Sequence, residues 1–195
     1  MALADGSLTA SLPDPDASRG AGRVARDLLT GAGAVLLAAL AFVDHGVGAR
    51  GAISAGFLVV LVVLSVIDIE QRILPNRIIF PATAVILAAQ LVFFPDQALD
   101  WIIAPLGAAG FFLFARLFQR EGLGLGDVKL MLLLGVGLGK AVAFAALAGT
   151  FAAGLVGLVL LIRHGRSARK MAIPFGPFLA FGAALTIFLA DSSVL

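Results

Sequence analysis

The sequence predicts an all-α fold, a polytopic transmembrane helical bundle of about seven helices. Of its 195 residues, 61% are hydrophobic and 13% are charged, whereas a soluble domain is about half apolar and about a quarter charged. The apolar residues also gather into seven stretches, and most of these are near the ~20 residues that cross a ~30 Å hydrocarbon core. The lipid bilayer is therefore an expected partner, and no nucleic-acid partner is expected.

The N-terminal part divides into a tail and one helix. Residues 1–22 are rich in Pro, Ser, Asp and Gly without hydrophobic periodicity, which predicts a disordered cytoplasmic tail. They lack the basic start and short apolar core of a secretory signal. Residues 23–50 predict an additional N-terminal transmembrane helix, with Leu28–Val43 as its apolar part. Residues 51–195 form the main membrane domain.

Six apolar stretches follow in this domain, and one of them is short. As a helix, Val128–Gly139 rises only ~18 Å at ~1.5 Å per residue, too little to cross a bilayer. The six stretches are Ala52–Ile67, Ile78–Phe94, Trp101–Phe118, Val128–Gly139, Ala141–Ile162 and Met171–Ala190.

The positions of Lys and Arg predict the orientation. With seven crossings and a cytoplasmic N-terminus, every Lys and Arg except Arg50 and Lys140 falls on the cytoplasmic side, as the positive-inside rule requires. If Val128–Gly139 were instead a re-entrant loop, the basic cluster at residues 163–170 would move outside. Seven crossings therefore fit better.

Two aspartates fall at the cytoplasmic side under this topology. Asp68 ends the second crossing and Asp127 opens the fifth. An ionisable residue at the edge of a bilayer is a functional-site hypothesis. The structural alternatives are a solvated loop charge for Asp68, because Pro75 ends the helix soon after it, and a helix N-cap for Asp127.

Gly124 and Gly126 directly precede Asp127. Glycine lets backbone approach closely, and irregular backbone at membrane depth is tolerated where it is buried in protein or lines a wet cavity. We expect the two glycines to form such a loop, which would account for the shortness of the stretch after it.

The residue types present limit the available chemistry. The chain has no cysteine, and His45 and His164 stand alone, so thiol catalysis and Cys- or His-built metal sites are not expected. Two carboxylates in a partly dry site share one proton. The ionised one can activate water while the protonated one polarises a carbonyl and assists the leaving amine, with no metal and no cofactor. The alternative is a proton- or cation-coupled transporter that uses the same acids.

A third segment opens the last crossing with Pro174-Phe-Gly176-Pro177-Phe. Prolines in a first helical turn are structurally ordinary, because the N–H groups there lack partners. They can also form a rigid wall beside the acids.

Together, three segments resemble the type IV prepilin leader peptidases, which are membrane aspartyl proteases of the Gly-x-Gly-Asp class. The resemblance spans residues 52–190, the family's six-helix unit, so that residues 23–50 are an added helix. The segments are Asp68-x5-Leu74-Pro75-Asn76, Gly124-x-Gly126-Asp127-Val-Lys129-Leu and Pro174-Phe-Gly-Pro-Phe-Leu-Ala180.

The resemblance implies that Asp68 and Asp127 are the catalytic acids. It implies cleavage of a short basic leader from prepilins or pseudopilins, at the cytoplasmic face of the bacterial inner membrane. The residues it places in substrate binding or the active-site loop are Gly124, Gly126, Pro75, Pro174, Gly176 and Pro177. We assign no role to Glu70, Arg72 or Lys129, which we expect to be solvated loop charges.

The chain departs from the larger family members in one respect. Those members carry a methyltransferase region with two Cys-x-x-Cys pairs, and this chain has no cysteine. N-methyltransferase activity is therefore not expected. Its size resembles the short peptidases of tight-adherence (Flp-type) pili. A third possibility is an intramembrane protease that acts on unrelated helices, although the Leu-Pro-Asn and Pro-Phe-Gly-Pro-Phe segments favour the prepilin branch.

Overall fold

The computed structural model describes residues 28, 30–43, 46, 48–118, 123–165 and 174–189, and these contain helices but no strand. The all-α prediction is confirmed for this part of the chain. The predicted tail at residues 1–22 lies outside the described residues. The helices are α1 (Thr30–Val43), α2 (Ala49–Gln71), α3 (Asn76–Phe93), α4 (Ala98–Phe118), α5 (Leu125–Leu138), α6 (Val142–His164) and α7 (Gly176–Leu189), with short 3₁₀ turns at Pro95–Gln97 and Gly139–Ala141.

Among the described residues, four helical runs are long and apolar enough to cross a membrane, as in a multi-pass membrane protein. They are Ala49–Gln71, Asn76–Phe93, Pro95–Phe118 and Leu125–His164, the last being α5 and α6 joined through the 3₁₀ turn. The helices α1 and α7 are apolar but shorter. The number of crossings and their orientation stay predictions.

The short helix α5 forms the centre of the bundle. It contacts α2, α3, α4, α6 and α7, and Leu130, Met131 and Val136, which lie on different sides of it, are almost completely buried. A helix that is apolar on all sides is typically buried. This explains why α5, although short, is surrounded by other helices. At Gly135 a Cβ atom would lie 2.3 Å from Cα of Pro105, so α4 and α5 pack at backbone contact only because a glycine stands there.

Four helix ends lie close together at the N-terminal end of α5. Helix α2 ends at Gln71, and Arg72 follows in the left-handed conformation (φ 53°), with its N–H donating to the carbonyl of Asp68. Pro75 directly precedes α3, as the sequence predicts for the end of the second crossing. Because α2 packs on α7 and α3 packs on α5, the end of α2 and the starts of α3, α5 and α7 form one polar region.

Candidate active site

Asp68 lies in the last turn of α2 and is only 6% exposed. Its Oδ2 accepts a hydrogen bond of 2.8 Å from the backbone N–H of Gly176, the first residue of α7. The first N–H groups of a helix lack partners within it, and the helix dipole favours an anion at this end. The interpretation of Asp68 as a solvated loop charge is therefore wrong, because its carboxylate is buried and caps another helix.

Gly176 is the residue that allows this contact. A Cβ atom at Gly176 would lie 2.7 Å from Oδ2 and 3.1 Å from Cγ of Asp68. Such a separation is shorter than a van der Waals contact, so any side chain at this position would displace the carboxylate. The absence of a side chain thus lets the acid reach the N-terminus of α7.

Asp127 is the third residue of α5 and is half-buried. Its Oδ2 accepts a hydrogen bond of 3.0 Å from the backbone N–H of Gly124, the residue before the helix. This is the carboxylate half of a capping box. The N-cap residue is Gly124, so the interpretation of Asp127 as the N-cap is wrong. Asp127 is instead the third residue of the helix, and its carboxylate accepts a hydrogen bond from the N–H of the N-cap residue.

Gly126 corrects a second expectation. The helix starts at Leu125, so Gly126 belongs to the first turn of α5 rather than to a loop. A Cβ atom there would lie 3.2–3.5 Å from the side chain of Leu74. The glycine therefore serves to pack the start of α5 tightly against the segment that joins α2 to α3.

A polar contact fixes this packing. Nζ of Lys129 donates a hydrogen bond of 2.8 Å to Oδ1 of Asn76, the first residue of α3, and the ammonium lies 5.8 Å from the ring centroid of Phe80, within cation–π range. Lys129 is therefore a helical residue with a side-chain partner rather than a loop charge, although this bond is exposed. Glu70 and Arg72 are exposed, Glu70 within α2 and Arg72 directly after it.

Both acids line one cavity of about 550 Å³. They are also close enough for their charges to interact. Of the other predicted site residues, Pro75, Gly124, Gly126 and Pro174 line the cavity, Gly176 contacts it through Asp68, and Pro177 does not line it. The remaining lining residues are Arg72, Ile73, Leu74, Asn76, Leu125, Lys129 and Phe175.

Arg116 is a residue of this region that sequence reasoning missed. It lies in the last turn of α4, its Nη1 donates a hydrogen bond to the carbonyl of Leu123, and its charge acts on Asp127. The guanidinium of Arg116 thus binds the backbone directly before Gly124. The available signal was its place at the cytoplasmic end of a predicted crossing, which alone does not separate it from the other basic residues there.

The described residues contain no group of three or more His, Cys, Asp or Glu side chains that could hold a metal ion. What they do contain is a pair of carboxylates, each held by a backbone N–H at a helix start. Such a pair can bind and polarise one water molecule and one carbonyl group. The arrangement therefore suits hydrolysis by two acids.

The sequence of this chain is similar to those of one known protein family. The model of the type IV leader peptidase family matches residues 55–162. The chain is 31% identical over 141 residues to a prepilin leader peptidase/N-methyltransferase of Bacillus subtilis, covering 71% of this chain and 56% of that protein. A protein of the same name from Burkholderia pseudomallei is 36% identical over 163 residues, covering 78% and 51%.

A third relative with this name, from Pseudomonas putida, is 31% identical over 137 residues, covering 67% of this chain and 47% of that protein. The chain thus spans about half the length of the curated relatives it matches. No solved structure matches it.

Proposed function

This chain belongs to the type IV leader peptidase family, and from that premise we propose that it is an aspartic-type endopeptidase. Its substrates are prepilins or pseudopilins, from which it removes a short basic leader at the cytoplasmic face of the bacterial inner membrane. The name shared by the relatives supports the substrate class. N-methyltransferase activity, which is also part of that name, is not part of the proposal.

The observation that carries the proposal is the common cavity of Asp68 and Asp127. The two acids come from helices that are distant in sequence and meet where α2 ends and α5 begins. Each engages Oδ2 with a backbone N–H, and no other hydrogen bond to either side chain is found among the described residues. In this proposal, the other oxygen of each carboxyl group, Oδ1, meets water or substrate.

Hydrolysis follows from this arrangement without a metal ion. The ionised carboxylate takes a proton from a water molecule as the water oxygen attacks the scissile carbonyl carbon, and the protonated carboxyl group donates a hydrogen bond to the carbonyl oxygen. When the tetrahedral intermediate collapses, the C–N bond breaks and a proton passes to the leaving amine. One water molecule is consumed, and the two acids together end with the one proton with which they began.

The backbone around the acids supplies preorganisation. The N–H groups of Gly176 and Gly124 hold the two carboxylates, and the contact between Lys129 and Asn76 holds the segments that carry them. Groups fixed before reaction cost no reorganisation in the transition state. Residues 51–195 act as the catalytic membrane domain in this proposal, and residues 23–50 are an addition to it.

Orientation and substrate branch are part of the same proposal. Among the described residues, Arg72, Arg116 and Lys129 lie around the end of the bundle that holds the acids, whereas Arg50 and Lys140 lie at the opposite end. This distribution supports a cytoplasmic site under the positive-inside rule. Within this proposal, the tight-adherence (Flp-type) pilins are the substrate branch to test first.

The test is co-expression with a prepilin and mass measurement of the product. Asp68→Asn and Asp127→Asn should each lower leader removal by about 10²–10⁴-fold, the range for one general acid or base. Asp96→Asn is the matched control, since Asp96 is exposed in the turn between α3 and α4 at the opposite end. Wild-type cleavage by either site variant would refute the two-acid mechanism. Proton or cation flux in vesicles that depends on the same two residues would favour the transporter instead.

A further inference from the structure

A second cavity of about 700 Å³ lies between α4 and α6, and its lining is almost entirely apolar. Helix α4 packs mainly on α5, while α6 packs mainly on α7, so α4 and α6 diverge and leave a groove between them. Met131 of α5 contributes to its lining. The groove, as we call this cavity, is lined by Gly107, Ala108, Phe111, Phe112, Ala115, Leu123, Met131, Val142, Ala143, Ala146, Leu147, Thr150 and Phe175.

The groove adjoins the cavity that holds the acids. Phe175 lines both of them, and its ring lies 6.4 Å from that of Phe112 in the groove. Leu123 lines the groove directly before Gly124 lines the acid cavity. A polypeptide in the groove can therefore continue into the acid cavity past Phe175.

The walls suit a helix. Small residues at Gly107, Ala108, Ala143 and Ala146 let the backbone of another transmembrane helix approach closely. Phe111 and Leu147 at the groove are 68% and 71% exposed, which places the opening of the groove at the surface of the apolar helices.

The orientation of the substrate follows from charge. A basic leader stays on the cytoplasmic side, because Lys and Arg are costly to move into the bilayer. Only the segment after the scissile bond can then enter the apolar layer, and there its backbone polar groups are satisfied only in a helix. The part of the substrate that meets the groove is therefore an apolar helix.

We propose that the groove between α4 and α6 is the docking site for the apolar helix that follows the scissile bond of the substrate. This rests on the proposed function. The helix packs along Ala108 and Ala146 and delivers the peptide bond past Phe175 to Asp68 and Asp127.

Disulfide crosslinking tests the docking site, and the chain suits it because it has no cysteine of its own. The probe is a co-expressed prepilin with a single cysteine, placed in turn at successive positions of the apolar segment after its leader. Ala146→Cys is made in the Asp68→Asn background so that uncleaved prepilin accumulates. Ala148→Cys is the matched control, because Ala148 is on the same helix and does not line the groove.

Periodic crosslinking along one face of the probe from Ala146→Cys, and none from Ala148→Cys, is the expected result. Equal crosslinking from both variants, or none from Ala146→Cys, would overturn the groove proposal. The peptidase proposal is judged separately, by whether wild-type protein removes the leader. Its failure and the failure of the groove are thus distinguishable.

A blocking variant gives an independent measurement. Ala146→Trp should fill the groove and raise KM for the prepilin by roughly tenfold or more, the effect of losing a well-packed interface anchor, with a much smaller change in kcat. Phe144→Trp is the control, since Phe144 is half exposed on α6 and does not line the groove. Unchanged KM in a folded Ala146→Trp protein would mean that lipid alone occupies the groove, which contradicts the proposal.

Discussion

The carboxylate of Asp68 is bound by the backbone N–H of Gly176 across 108 residues of sequence. The contact joins the last turn of α2 to the first residue of α7 and gives a partner to a backbone N–H that has none within its own helix. A hydrogen bond of this kind contributes about 0.5–1.5 kcal/mol. The third sequence segment thereby acts on the first through a backbone group, and its Pro174 also lines the cavity of the acids.

Gly176→Ala should impair catalysis by moving this carboxylate. The new Cβ would start 2.7 Å from Oδ2, so Asp68 has to shift, and a displacement of ~1 Å at a reacting group can lower the rate by ~10²-fold. The measurement is kcat for leader removal by purified protein. Gly56→Ala on α2 is the control, because nothing lies within 4 Å of a Cβ there. Equal kcat for both variants would show that the position of Asp68 does not limit the rate.

The contact between Lys129 and Asn76 should act as one unit. We expect Lys129→Met and Asn76→Ala each to reduce leader removal, since each removes the 2.8 Å hydrogen bond that fixes α3 to α5. An exposed bond of this kind contributes about 0.5–1.5 kcal/mol to stability. The double variant should be no worse than the worse single variant. Additive losses in this double-mutant cycle would mean that the two residues act separately.

Hydropathy predicts the all-α membrane fold, because the length of an apolar stretch can be compared directly with the thickness of the bilayer. It also identified Asp68 and Asp127 as acids that share one end of the bundle. The hydrogen bonds of Asp68 to Gly176 and of Lys129 to Asn76 were not predictable, since they depend on the register between helices far apart in sequence. The start of α5 is not predictable for a related reason. The sequence predicts a loop at the two glycines, whereas Gly126 is helical and allows the close approach of Leu74.

Gly135→Ala should destabilise the protein without altering the acid site. Its Cβ would lie 2.3 Å from Cα of Pro105, so α4 and α5 must separate, and overpacking of a core costs about 1–3 kcal/mol. The expected result is a lower Tm in detergent with kcat per folded molecule retained. Gly110→Ala is the control on α4, where no atom lies within 4 Å. A Tm equal to that of this control would contradict backbone contact between the two helices.

Asp127 allows its capping role and its chemical role to be separated. Asp127→Asn keeps an oxygen that can accept the hydrogen bond from the N–H of Gly124, but it can no longer ionise. Asp127→Ala loses both properties, and loss of one capping interaction costs about 0.3–1.5 kcal/mol. If Asp127 were only a cap, Asp127→Asn would be nearly as active as the wild-type protein and Asp127→Ala would be affected through stability alone.

The two-acid mechanism predicts instead that Asp127→Asn is as inactive as Asp127→Ala. Both variants should lose leader removal by about 10²–10⁴-fold, while only Asp127→Ala should show a lower Tm. Comparing Tm and kcat for the pair on the same preparations therefore separates the two roles. Asp127→Glu is a third informative variant. Unlike Asp127→Asn and Asp127→Ala it keeps an ionisable carboxyl group, but it moves this group by one methylene. It should regain little activity, because a carboxyl group that activates water or hydrogen-bonds to the carbonyl oxygen must stand in the geometry set by the N-terminus of α5.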